Sequence, residues 1–170
     1  AVAIMVIMAA AVLPTMVTSD RRALVQEAAI VLEELGDAIT RARYDNQDWP
    51  ANLRHLTIPI TTADANICGD TYNNGRVNNW DGPYFDRMFP VGGLPIGIGT
   101  VRDAMGRIVL SGNPQSGGSV SHVLIFIDEV EEEDALELDR IVDGDGGAAG
   151  TVRWVAPDAS GLTTVTWYRI

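Results

Sequence analysis

The chain has 170 residues, a formal net charge of −11 and a hydrophobic fraction of 46%. Its 12 lysine-plus-arginine positions are all arginine, and it has one cysteine, Cys68. The acidic balance argues against a nucleic-acid groove and for a soluble, mutually repelling surface, while a lone cysteine excludes an intramolecular disulfide framework.

The chain begins AVAIMVIMAAAVLP, an almost purely apolar run. Ala1, Val2, Ile4, Val6, Ile7, Ala10, Val12, Leu13 and Pro14 form a segment, ending near Val17, suited to lipid or to the core of a protein assembly, because a helix apolar all round offers water no polar face. An ordinary membrane anchor takes about 20 apolar residues, and this run is slightly shorter. Pro14 also removes one helix hydrogen bond. A signal peptide would carry a basic n-region and a cleavage site, whereas the chain starts directly inside the apolar run. We therefore expect burial in an assembly, after residence in membrane lipid as a subunit pool.

Past Arg21 and Arg22, which suit a headgroup layer or acidic neighbours, the helical pattern continues with a narrower apolar stripe. Leu24, Ala28, Val31, Leu35, Ala38 and Ala42 alternate steps of four and three, which keeps a packing seam on one face. The helix is expected to end near Asp45-Asn46-Gln47, ahead of Trp49-Pro50. These boundaries divide the chain into a helix over 1–46 and a globular head over 47–170. Within the head, 51–95 is a connecting loop and 96–170 a β-sheet region.

The loop is crowded with Asn, Asp, Gly and Pro. Asp64, Asn66, Asp70, Asn73, Asn74 and Asn78 are better suited to turns than to a hard cation, since Asn and Asp tolerate left-handed backbone and bond their own chain. Trp80, Tyr84, Phe85 and Phe89 are expected to pack into the core rather than form a binding surface. From Ile96 the pattern turns to strands. Ile98–Arg102 and Arg107–Ser111 read as a hairpin about Asp103–Gly106, and Pro114–Ser121 reads as a Gly/Ser-rich loop. Val123–Ile127 reads as a strand, and the acidic run from Glu129 starts a helix to about Val142. Acidic residues at its start and Arg140 at its end suit the helix dipole. Thr151–Val155 and Thr163–Ile170 complete a final hairpin. The fold class is α+β, with an antiparallel sheet packed on the amphipathic half of the long N-terminal helix.

The best candidate ion site is Asp139, Asp143 and Asp145 in DRIVDGDGGAAG, where closely spaced carboxylates and Gly turns suit Ca²⁺. Gly147 and Trp154 stand where an EF-hand would place further ligands, so the segment is not an EF-hand. The alternative is a Gly-rich turn with solvated carboxylates, and no other cofactor is implied. Catalysis finds little support: His55 and His122 are far apart in sequence, and no hydrolase, zincin or P-loop pattern is present.

Three stretches together resemble the type IV pilins and the type II secretion pseudopilins: AVAIMVIMAAAVLP, then NNWDGPYFDRM (Asn78 to Met88), then DRIVDGDGGAAGTVRW (Asp139 to Trp154) followed by TTVTWYRI. The resemblance implies a pilin fold and a non-enzymatic subunit of a helical homopolymer. It also implies an inner-membrane assembly platform as partner and passage from the inner membrane to an extracellular filament. The family's mature chain normally starts with a methylated aromatic residue and carries a glutamate a few residues in. Neither is present, and alignment of Pro14 with the family's helix-breaking proline implies that roughly two helical turns precede Ala1. Many type IVa pilins close a C-terminal loop with a disulfide, which the single Cys68 does not allow. That departure, with the GPYF segment, keeps a periplasmic pseudopilus as the alternative. A membrane-anchored adhesin using the 51–95 loop is a third. By resemblance, some pseudopilins bind calcium near the sheet, which adds to the case for the aspartate segment.

Overall fold

The computed structural model describes residues 2–109, 120–144 and 150–169, and the side chains of 20–108, 122–144 and 150–169. Helix α1 spans Val2–Asn46, 45 residues, or about 68 Å at 1.5 Å per residue. It stops where Gln47 takes a positive φ of 54°. After it come a 3₁₀ turn at Leu53–Leu56 and a short helix α2 at Asn74–Asn78. The strands are β1 (Leu94–Pro95), β2 (Thr100–Val101), β3 (Gly106–Val109), β4 (Val120–Glu131), β5 (Val152–Trp154) and β6 (Leu162–Arg169), with α3 (Glu132–Val142) between β4 and β5.

The result is α+β: an N-terminal helix and a C-terminal antiparallel sheet in the order β1-β2-β4-β6-β5, with β3 also paired to β4. Strand β4 is the axis of the sheet. Its alternation buries Val123, Ile125 and Ile127 on one face, and β6 matches it with Thr163, Val165 and Trp167. Period-two alternation of this kind is what a half-buried antiparallel strand requires. Against that face lies the buried stripe of α1: Val25, Ala28, Val31, Leu32, Leu35, Ala38, Ile39 and Ala42, all in one continuous core with the sheet residues. Gly36 faces β6 closely, since a Cβ there would lie 2.9 Å from the Arg169 guanidinium and 3.1 Å from the Trp167 ring. Arg169 of β6 closes the edge of this contact on Glu33 (3.0 Å) and Asp37 (3.3 Å).

Two local expectations differ from the structure. The segments expected to form a hairpin over 98–111 do not pair with each other. Strand β2 pairs with Ile127 and Asp128, and β3 with Val120–Leu124, so both lie end to end along one edge of β4. A strand of 12 residues offers two short segments more pairing than they offer one another. The link between them is stitched to the loop instead, by Leu53 N–H to Asp103 C=O (2.7 Å) and Met105 N–H to Ala51 C=O (3.0 Å). Residues 110–119, which carry most of the expected Gly/Ser-rich loop, lie outside the described residues, and its last two positions, Val120 and Ser121, belong to β4.

The second difference is the start of α3, at Glu132 rather than Glu129. The β4–β6 register shifts between Ile127 and Val130, and Glu129 has a positive φ of 62°. This bulge lets β4 continue through the first acidic residues before the helix begins. The final hairpin is present, with Val152, Arg153 and Trp154 opposite Trp167, Thr166 and Val165.

Candidate functional site

Three groups of residues have a claim to function: the α1 segments, the aspartates after α3, and the 51–95 loop. Of the apolar segment, Val2, Ile4, Val6, Ile7, Ala10, Val12, Leu13 and Pro14 lie on the helical backbone of α1. Their side chains, and Ala1, lie outside the described residues. Among the described residues no helix is long and apolar enough to cross a membrane.

Of the expected seam, Ala28, Val31, Leu35, Ala38 and Ala42 are buried at 1% exposure or less, whereas Leu24 is 43% exposed. The packed stripe starts instead at Val25. The reason is geometric: the stripe broadens to include Ala29, Leu32 and Ile39, the width of a helix laid on a sheet rather than a two-helix seam. Leu24 is left at the rim, beside Gly97.

At the level where α1 meets α3, Arg21 holds three carboxylates at once. Its Nε donates to Asp134 Oδ1 (2.7 Å), one terminal nitrogen donates to Glu133 Oε2 (3.0 Å) and the other to Glu131. The Asp134 carboxylate first, then Glu131, raises the Arg21 pKa above its ordinary value against the opposing effect of burial. Arg22 reaches toward Glu137 at 3.7 Å. The acidic first turn of α3 (Glu132, Glu133, Asp134) thus meets a cation from α1 as well as its own positive helix end. The sequence suggests a basic pair beside acidic neighbours, but a partner 113 residues away has no local signal.

The aspartate segment is divided by the fold. Asp139 is fully buried in α3. Asp143 caps that helix, its backbone N–H donating to the Asp139 carbonyl (2.7 Å), while its Oδ2 accepts the Val152 N–H of β5 (2.7 Å). Asp145 lies outside the described residues. The Asp143 carboxylate therefore has a structural task, joining the end of α3 to the edge strand. Among the described residues no three His, Cys, Asp or Glu side chains are grouped to hold a metal ion.

In the loop the polar residues form turns. Asp64 Oδ2 accepts both the N–H and the hydroxyl of Thr61 (2.8 and 2.7 Å). Asn66 Oδ1 accepts the Cys68 and Asp70 N–H groups, each at 2.9 Å. Asn73 Oδ1 caps α2 through the Arg76 N–H. Tyr84, Phe85 and Phe89 are buried, and Trp80 packs partly buried against the core, donating to the His55 carbonyl (2.9 Å). Burial pushes the Tyr84 phenol up to about 12. His55 faces Asp64 at 3.4 Å, His122 meets the Tyr168 ring edge-on, and Cys68 Sγ accepts from Arg107 at 3.3 Å.

Comparison with protein-family profiles, with curated proteins and with solved structures finds no match to this chain. What stands is an α+β chain whose first element is both the spine of the head and a longer apolar helix.

Proposed function

We propose that the chain is a structural subunit of a type IV pilus-like helical surface filament, with a pilin fold, polymerising through the N-terminal part of α1. One observation carries this reading: α1 is a single 45-residue helix whose sequence opens on an almost purely apolar run and whose later half, Val25 to Ala42, packs on the head. The 19 residues from Val2 to Asp20 extend the same helix by about 28 Å. Their sequence is almost purely apolar to Val17, and such a surface needs lipid or other copies around it. Bundled helices in a filament core provide that environment, and lipid does so before assembly. An inner-membrane platform would transfer the subunit from one to the other. Transfer between two apolar media costs little, so register would rest on packing and charge pairing. Copies joined by heterologous contacts that do not close form an open helix.

The test is to shear intact cells, image the released material by electron microscopy and identify the subunit by mass spectrometry. Long filaments of this chain are expected. Ala10→Asp or Ala11→Asp should abolish them, because each would bury an unpaired carboxylate. Filaments of normal length from either variant would rule out the buried-helix core.

A periplasmic pseudopilus is the second reading, favoured by the free Cys68, which closes no C-terminal loop. It predicts no external filaments, retention in the envelope and loss of secretion on deletion. An anchored adhesin predicts a monomer that assembles nowhere.

A further inference from the structure

Asn74 is the one asparagine of the sequence that precedes a glycine. A side-chain amide is open to attack by the backbone nitrogen of the next residue, and least hindered where that residue has no Cβ. Asn74 and Gly75 are both exposed, and they open α2, a helix of 5 residues with none buried. The preceding Asn73 caps this helix by accepting the Arg76 N–H at 3.0 Å. That choice leaves the Gly75 N–H, a donor at the helix start, with no hydrogen bond to the described residues, and the Asn74 side chain makes none either.

The other asparagines of the loop differ. Asn66 is buried, donates to Asp48 Oδ2 (2.6 Å) and accepts two backbone N–H groups. Asn52 Oδ1 accepts the Arg54 N–H (2.8 Å). Asn78 and Asn79 are exposed but are followed by Asn79 and Trp80, whose side chains crowd the attacking nitrogen. Helical dihedrals at Asn74 hold the Gly75 nitrogen back from the side-chain carbon, so the first turn of α2 must open. Opening costs little where nothing is buried. The ion pair that fastens α2, Arg76 to Asp48 at 2.5 Å, lies beyond the reacting pair and is left intact.

We propose that Asn74 is a site of spontaneous deamidation, with water as the only co-reactant. The Gly75 nitrogen attacks Asn74 Cγ, forming an N–Cγ bond as the Cγ–Nδ2 bond breaks. Nδ2 leaves as ammonia, carrying the proton that the Gly75 nitrogen gave up. Water then opens the cyclic imide: attack at Cγ yields aspartate, and attack at the backbone carbonyl yields isoaspartate. Aspartate places a carboxylate at the positive end of α2. Isoaspartate inserts a methylene into the backbone beside the Asn73 cap. Either product adds a negative charge to a chain already at −11, whatever the chain assembles into.

The experiment incubates the full chain in mild detergent at neutral to mildly alkaline pH, then digests it with trypsin beside an unincubated control. Cleavage after Arg54, Arg76 and Arg87 separates Asn74 from Asn78 and Asn79. The peptide ending at Arg76 should gain about 1 Da, as amide becomes acid, with fragmentation placing the gain at residue 74 as aspartate and isoaspartate. The gain should grow faster at higher pH, because the attacking nitrogen must lose its proton. G75A, checked for an unchanged circular dichroism spectrum, should slow it, and N74Q should lose it. An Asn74 that survives in the native chain but deamidates in urea would show that α2 protects it, which overturns the proposal. Equal conversion at Asn78 or Asn79, or a G75A rate matching wild type, overturns it as well.

Discussion

His55 shows how one side chain couples the loop to pH. It sits in the 3₁₀ turn with its Nε2 toward Asp64, and its Nδ1 is buried with no hydrogen-bond partner among the described residues. Burial lowers its pKa, against the raising effect of Asp64, because an imidazolium there would have a second N–H without an acceptor. The unfolded chain therefore takes up the proton first. Stability is full above the unfolded value of about 6.5 and declines as pH falls through it toward the lower folded value. Asp64 is also shifted down, with burial opposed by its Thr61 bonds, so its own loss of stability comes at still lower pH. His55→Gln should flatten the urea midpoint between about pH 7 and pH 5. A wild-type midpoint constant over that range would show that His55 does not titrate on unfolding.

The decisive element is α1, because the same stripe that makes it a helix also makes it the floor of the sheet. Leu35 lies in that stripe at 0% exposure, beside Gly36, where a Cβ would lie 3.1 Å from the Trp167 ring. Leu35→Ala should cost about 2–5 kcal/mol of unfolding free energy through lost burial and the remaining cavity. Chemical denaturation measures it, and a loss under about 1 kcal/mol would mean that α1 and the sheet repack freely. At this scale much was legible from spacing alone. The steps of four and three placed Ala28, Val31, Leu35, Ala38 and Ala42 on one face, and the compact apolar run Val123–Ile127 marked the centre of β4. The misread hairpin over 98–111 shows the limit: short strands carry no code for their partner, and β4 outcompeted a local turn. Leu24 shows another, since periodicity gives a direction around the helix but not where the neighbouring surface ends.

For the whole molecule, the sequence of α1 changes character near Arg21, where the apolar opening run gives way to the stripe that packs on the head. A fragment of residues 20–170 should therefore fold to the same head, with an unfolding midpoint close to that of the full chain, and should form no filaments. Circular dichroism during thermal unfolding would check the first part and electron microscopy the second. A fragment that fails to fold would show that the earlier residues contribute to the head. The Arg21 clamp on Glu131, Glu133 and Asp134 lies at this division and fixes how α3 sits on the helix. The exposed pairs to Glu131 and Glu133 contribute about 0–1 kcal/mol each and weaken with salt, whereas the bond to the buried Asp134 is part-buried.

The sequence by itself determined the long first helix, its apolar beginning, its packed face and the α+β class, because hydrophobic periodicity is a local property carried in consecutive residues. Tertiary structure alone decided which strand both short segments would join, that Arg21 would meet carboxylates 110 to 113 residues away, and that the Asp143 carboxylate would be held by the Val152 N–H. These outcomes depend on which surfaces the folded chain brings together, and no stretch of sequence encodes that alone.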